Sequence, residues 1–308
     1  MRAIARAITL VENTTGDDRS QLIKELFPHT GRSFVIGVTG SPGTGKSTLV
    51  DQLAHHYTDS GAKVGIILVD PTSPFSGGAM LGDRVRMQSL FTNPGIFIRS
   101  MATRGKLGGL SAAVDEALMI LDAAGYEILI VETVGVGQDE VDIVKIASAT
   151  LVMLVPGMGD DIQAFKAGIM EIGDIYVVNK ADRQGVSQME GELKELLSIA
   201  TGREDGWMPP IVKTIATQGE GVSELADSIQ AYRRLLAESA NTEDREIPLF
   251  RERILELLQR RLVKTLLGRI PDEKLDQYAE KLMTRKSDPY TIVDQLLRDL
   301  GLEEESND

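Results

Sequence analysis

Between residues 33 and 240, short apolar runs alternate with stretches of helical period. The runs fall at 34–38, 64–69, 96–98, 128–131, 151–155, 175–178 and 211–215. They are short and carry few polar residues, which is the pattern of strands buried on both faces. Between two of them, 111–121 sets Val114, Ala117, Leu118 and Leu121 on one face of a helix. Strands of this kind joined by crossover helices predict an α/β fold, a mainly parallel central sheet flanked by helices. Ligands of such sheets bind at the carboxyl ends of the strands. What each strand end carries therefore decides the function.

The two ends of the chain have a different pattern. Residues 1–32 read as a helical extension, with Ile4, Ala7, Ile8 and Val11 at helical spacing and then Leu22, Ile23 and Leu26. These helices are expected to cap the central domain of 33–240. A polar stretch over 238–246 reads as a linker into a helical region, 241–308. There Ile254, Leu255, Leu257, Leu258, Leu262, Val263, Leu266 and Leu267 spread beyond one stripe, so the helix wants burial on more than one side. Ser287-Asp288-Pro289 starts a last helix. It is expected to turn Tyr290, Val293, Leu297 and Leu300 inward and to stop at Gly301. A segment of this size cannot easily bury so much apolar surface alone. It either folds back or forms a two-fold interface, and a homodimer is expected. The acidic tail Glu303-Glu304-Glu305 is expected to be disordered.

Composition narrows the function classes. The 308 residues carry a formal net charge of −13, which repels phosphate backbones and anionic lipid, so neither nucleic acid nor membrane is an expected partner. There is no cysteine, which excludes disulfides, thiol catalysis and Cys-ligated metal. No apolar run approaches the ~20 residues of a membrane span. The first residues, Met1-Arg2-Ala3-Ile4, lack the layout of a secretory signal. A cytoplasmic protein is expected.

The run at 34–38 opens into Gly40-Ser41-Pro42-Gly43-Thr44-Gly45-Lys46-Ser47, followed by Thr48 and a helix-like segment. Strand, glycine-rich turn and helix start satisfy G-x-x-x-x-G-K-[ST] in its required context, the P-loop of nucleoside triphosphatases. Glycines let the backbone approach a ligand. The turn amides and the helix N-terminus then converge on a site that favours an anion. Lys46 adds a mobile cation for the outer phosphates, and the Ser47 hydroxyl suits Mg²⁺.

Other strand ends supply further candidates. The run at 64–69 ends at Asp70 and opens a Gly/Ser/Pro-rich stretch to Asp83 and Arg84. Both carboxylates suit Mg²⁺, directly or through water. Asp83 reads equally as a helix N-cap. Arg99 to Gly109 reads as a basic, glycine-rich loop for phosphates or an acidic partner, or as a solvated loop. The run at 128–131 leads into Glu132, then Gly135 and Gln138. An acid here addresses a metal, and a glycine three residues on offers an N–H to a γ-phosphate. Gln138 invites comparison with a water-orienting glutamine, which its position does not establish. Pro156-Gly157-Met158-Gly159 makes another candidate mobile loop. The run at 175–178 enters Asn179-Lys180-Ala181-Asp182, an N-K-x-D. Its aspartate can accept from guanine N1–H and N2–H₂, which adenine lacks. Asn179 can tie this loop to the P-loop, and Lys180 can lie along the base. Backbone amides of Ile215, Ala216 and Thr217 can meet the guanine carbonyl. Trp207 before two prolines reads as a packed loop anchor. His29 reads as a surface turn, and His55 and His56 as a helix face.

The P-loop, the run from Asp70 to Met87 and the stretch Glu132 to Glu140, continuing through Asn179–Asp182 and the Trp-x-Pro-Pro segment, resemble the MeaB/ArgK family. These are methylmalonyl-CoA mutase-associated GTPases of the SIMIBI class, and the resemblance covers nearly the whole chain. It implies a Mg²⁺-dependent GTPase, binding GTP and GDP, that chaperones an adenosylcobalamin-dependent acyl-CoA mutase. GTP binding and hydrolysis would gate cofactor loading and removal of damaged cofactor. It implies Lys46, Asp70 and Glu132 as catalytic groups and Ser47, Asp70, Asp83 and Glu132 around the metal. The phosphates would lie on 40–48 and Gly135, the base on Asn179, Lys180 and Asp182. Where other GTPases use Ser-Ala-Lys near the base, this chain has Ile215-Ala216-Thr217, so only backbone contacts carry over. The resemblance also implies a dimer through the C-terminal helices. Rival readings are a nickel metallochaperone GTPase, against which the lack of Cys speaks, a P-loop kinase or transport ATPase, against which Asp182 speaks, and a purely structural module.

Overall fold

The computed structural model describes residues 1–14, 16–71, 90–103, 112–133, 142–157, 172–199, 206–238 and 242–302. The chain divides into two compact units, Met1–Ala240 and Asn241–Asp308.

The first unit is a seven-stranded parallel sheet. Its strands are β1 (Phe34–Gly40), β2 (Val64–Pro71), β3 (Ile96–Thr103), β4 (Ile128–Thr133), β5 (Ala149–Leu154), β6 (Ile175–Asn179) and β7 (Ile211–Thr214). Their order is β3-β2-β4-β1-β5-β6-β7, so β1 sits at the centre. Register brings Val38 opposite Glu132 on one side and Gly40 opposite Met153 on the other. The sheet has a core on each face, as continuous apolar strands require. One face buries Ile36, Val38, Ile66 and Ile130 with Leu49 and Leu53 of α3 (Lys46–Asp59) and Leu225 and Ile229 of α6 (Val222–Glu238). Nearby, burial pushes the Tyr57 hydroxyl up to about 12, against the opposing pull of Arg233, so it stays neutral. The opposite face buries Ile67, Leu129 and Val131 under α4 (Ala112–Ala123). Near β6, Met189 and Leu193 of α5 (Val186–Ile199) cover Tyr176 and Val178.

The N-terminal helices α1 (Arg2–Asn13) and α2 (Asp17–Leu26) join this second core. Ile8 and Val11 are fully buried with it, and Ile4, Leu22, Ile23 and Leu26 pack against it. Polar clamps fix them. Arg19 makes a two-pronged pair with Glu116 of α4 (2.7 and 2.9 Å), and Arg99 of β3 pairs with Glu12 (2.7 Å). Asp122 accepts from three consecutive amides, Gly31, Arg32 and Ser33, just before β1. Residues 99–103 are thus strand rather than the start of a loop, and Arg99 serves α1, not a phosphate. Its charge broke the apolar run that marks β3 in the sequence.

The second unit comprises α7 (Thr242–Leu267), α8 (Asp272–Met283) and α9 (Pro289–Asp299). α7 begins within the stretch read as linker. α9 starts where expected, with Asp288 accepting from the Tyr290 and Thr291 amides (both 3.0 Å), and Gly301 ends it in the left-handed region. The inward face differs from the expectation. Ile292 is buried, while Tyr290 and Val293 are exposed by 83% and 51%. Leu297 and Leu300 are half-buried as expected, but Ile292 and the half-buried Leu296 take the inward places that Tyr290 and Val293 were expected to fill. Among the described residues no helix is long and apolar enough to cross a membrane.

Candidate functional site

β1 extends two residues further than its apolar run, through Thr39 and Gly40, and delivers the chain into the glycine-rich turn. α3 begins at Lys46. The residue before it, Gly45, has φ +96°, where a side chain is strained, and a Cβ there would meet Asn179 Nδ2 at 2.5 Å. The turn 40–45 and the first turn of α3, with Thr48 half-buried, therefore form a backbone cradle with a helix N-terminus at its mouth. Lys46 is buried, and its ammonium donates to the carbonyls of Gly40 (2.6 Å) and Ser41 (3.1 Å).

The Ser47 hydroxyl donates to Glu132 Oε1 at 2.6 Å. Glu132 is the penultimate residue of β4, beside the P-loop strand, and is only 6% exposed. Two hard oxygen donors thus converge beside the cradle, the donor set that Mg²⁺ takes, and the residues fit that ion. Asp70 is the penultimate residue of β2, next to β4 in the sheet and level with Ala102 of β3. Asp83, Gly135 and Gln138, the Arg104–Gly109 part of the basic loop, Met158 and Gly159 lie outside the described residues, as does the tail from Glu303.

Asn179 joins the two ends of the site. It is 2% exposed, and its Nδ2 donates to the Thr44 carbonyl of the P-loop (2.8 Å). Its Oδ1 accepts from the Thr214 hydroxyl (3.0 Å) and the Ala216 amide (3.1 Å). Lys180, in the left-handed region at φ +56°, reaches back to the Gly43 carbonyl (2.7 Å). Asp182 is exposed beside this hub, and among the described residues its carboxylate has no hydrogen bond. The amides of Ile215 and Ala216 are taken up by Glu220 O and Asn179 Oδ1. Of the three amides named for the guanine carbonyl, that of Thr217 has no hydrogen bond among the described residues.

Two residues that shape this end were not singled out in the sequence. Thr214 holds the Asn179 carboxamide in orientation. Gly221, at φ +77°, lets the 215–221 loop return against β7, where a Cβ would collide with the Lys213 carbonyl. A Gly-x-Gly after a strand end was the available signal for Gly221; nothing marked Thr214. Trp207 is the loop anchor expected, donating to Asp174 O (2.8 Å) and packing at a tilt of 44° against the Tyr232 ring. His55 and His56 are half-buried on α3.

A family model described as "Methylmalonyl Co-A mutase-associated GTPase MeaB" matches residues 4–270. A Pyrococcus abyssi protein named only as a candidate GTPase is 44% identical over 301 residues, spanning 97% of this chain and 93% of its own. The Caenorhabditis elegans "Methylmalonic aciduria type A homolog, mitochondrial" is 37% identical over 260 residues, 79% of this chain and 65% of its own. A solved structure titled "LAO/AO transport system kinase" superposes with a TM-score of 0.71 at 26% identity, covering 97% and 92% of the two chains.

Proposed function

The chain belongs to the methylmalonyl-CoA mutase-associated GTPase family, and on that premise we propose that it binds and hydrolyses GTP to control an adenosylcobalamin-dependent acyl-CoA mutase. The observation that carries the reading is the Asn179 hub. One buried carboxamide holds the phosphate cradle through Thr44 and the base end through Thr214 and Ala216. Asp182 is exposed beside it. Such a link is useful only if one ligand spans both ends, a nucleotide with phosphates at 40–48 and its base at Asp182.

The chain's own groups divide the work. The turn amides and the α3 N-terminus take the phosphate charge. The Lys46 ammonium exchanges its carbonyl partners for outer phosphate oxygens. Ser47 and Glu132 would hold Mg²⁺, with Asp70 and Asp83 completing the proposed set, and the bound ion would supply charge neutralisation at the phosphates. Asp182 accepts from guanine N1–H and N2–H₂, and adenine offers neither. Gly135 is the proposed γ-phosphate sensor. The exposed apolar residues of α7 support a homodimer through the second unit.

Isothermal calorimetry with GTP, GDP and ATP in Mg²⁺ tests the base assignment. Wild type is expected to bind the guanine nucleotides and not ATP. Asp182→Asn is expected to move preference towards xanthine nucleotides, because an amide offers N–H where the carboxylate offered only acceptors. Unchanged GTP selectivity in that variant refutes the assignment, and binding of ATP alone returns the kinase reading that the structural relative's title suggests. Association with purified acyl-CoA mutase, measured with a non-hydrolysable GTP analogue and with GDP, tests the partner.

A further inference from the structure

Adjacent strands β1 and β4 run side by side into the site, and the end of β4 is tied twice, once to α3 and once to β1. One tie is the Ser47–Glu132 hydrogen bond. The other joins two threonines. Thr133 Oγ1 lies 3.2 Å from Thr39 Oγ1 and 3.5 Å from the Val38 carbonyl, and both side chains are fully buried.

The two ties sit on opposite faces of the sheet. Ile128 and Ile130 share the α3 core, so alternation turns Glu132 towards α3 and Ser47. Leu129 and Val131 belong to the opposite core, so Thr133 faces away. Val38 is level with Glu132, which makes Thr39 and Thr133 the next rung. Immediately beyond, β1 becomes the P-loop.

Valine would fill either position with the same shape, a higher strand preference and no buried hydroxyl to satisfy. Two hydroxyls buried against each other therefore call for a reason. Both are 0% exposed, so the reason is not direct contact with nucleotide. We propose that Thr39 and Thr133 are positioning residues for the Mg²⁺ ligands. Their hydroxyl pair fixes the spacing of β1 and β4 from behind, which sets the Glu132 carboxylate against the Ser47 hydroxyl in front. The assignment rests on the GTPase reading and names residues beyond it.

The test uses the full chain and titrates Mg²⁺ against a fluorescent GDP analogue, with GDP affinity also measured in EDTA. Thr133→Val is expected to raise the half-saturating Mg²⁺ concentration roughly three- to tenfold, the worth of one hydrogen bond. Affinity in EDTA should not move, Thr133→Ser should restore the wild-type value, and Thr39→Val should reproduce the shift. Because the hydroxyls act as one unit, the double valine variant should be no worse than either single one. An unshifted Mg²⁺ requirement in both valine variants overturns the proposal. So does an equal loss of affinity in EDTA, which marks general damage to the fold. Wild-type protein that binds no guanine nucleotide overturns the GTPase reading itself, an outcome distinct from a binding wild type with unmoved variants.

Discussion

In the first unit Ile66, Leu49 and Leu53 are fully buried, whereas along α7 of the second Ile254, Leu257, Leu258 and Val263 are exposed by 64, 48, 50 and 54%. Both regions are rich in aliphatic residues. They differ in geometry. A parallel sheet offers two faces, and the crossover helices cover both, so the first unit closes its own cores. A long helix with apolar residues on several sides cannot be covered by two short neighbours such as α8 and α9. The contrast teaches that one sequence feature, high aliphatic content, means self-sufficiency where strands organise it and a missing surface where a lone helix carries it. It is why a homodimer is proposed for the second unit and none is needed to explain the first.

The contrast can be broken at three places. Ile66→Ala leaves a hole in a core that cannot collapse, and is expected to cost about 2–5 kcal/mol in denaturant unfolding followed through nucleotide binding. A cost below about 1 kcal/mol would mean the sheet is not closed in the sense argued. Leu258→Asp puts a charge on the exposed face of α7. The proposed dimer should fall to a monomer by light scattering while GDP affinity stays at the wild-type value. An unchanged mass removes that face from the interface, and lost GDP affinity would deny that the units are independent. The smallest effect belongs to Asp288. Hydrogen bonds from Thr291, side chain first and then amide, hold its carboxyl below the ordinary range. A carboxylate whose folded value is depressed adds stability above its unfolded value and loses it as pH falls through the folded one. Melting of the wild type should therefore soften below about pH 4. Asp288→Asn should show a shallower acid dependence and a slightly lower melting temperature at pH 7. Identical acid profiles would show that the cap contributes nothing.

How far the sequence alone carried varies with the kind of contact. Strands β2, β4 and β6 were visible within two residues because burial on both faces leaves an unbroken apolar run. β3 was visible for only its first residues. It lies at the sheet edge, where Arg99 reaches across to Glu12, and a pairing between residues so distant in sequence leaves no local trace. The P-loop and N-K-x-D were legible because local backbone chemistry dictates their residues. Thr214 and the Thr39–Thr133 pair were not, since each matters only through a neighbour that the fold supplies. The face of α9 was read correctly at Leu297 and Leu300 and misjudged at its start, because Tyr290 and Val293 fit an apolar stripe as well as Ile292 does; the choice between them depends on packing within the unit.

The clamps on the N-terminal helices have a consequence for biosynthesis. Arg19 waits for Glu116, 97 residues later, and the Gly31 amide waits for Asp122, 91 residues later. At ribosomal speeds of about 5–20 residues per second, that delay is roughly 5 to 20 s. Throughout it the oily side of α1, with Ile8 and Val11, has left the translating ribosome with no docking place. The apolar face of α1 cannot settle until α4, the helix after β3, has emerged, so the nascent chain carries a sticky segment over that interval.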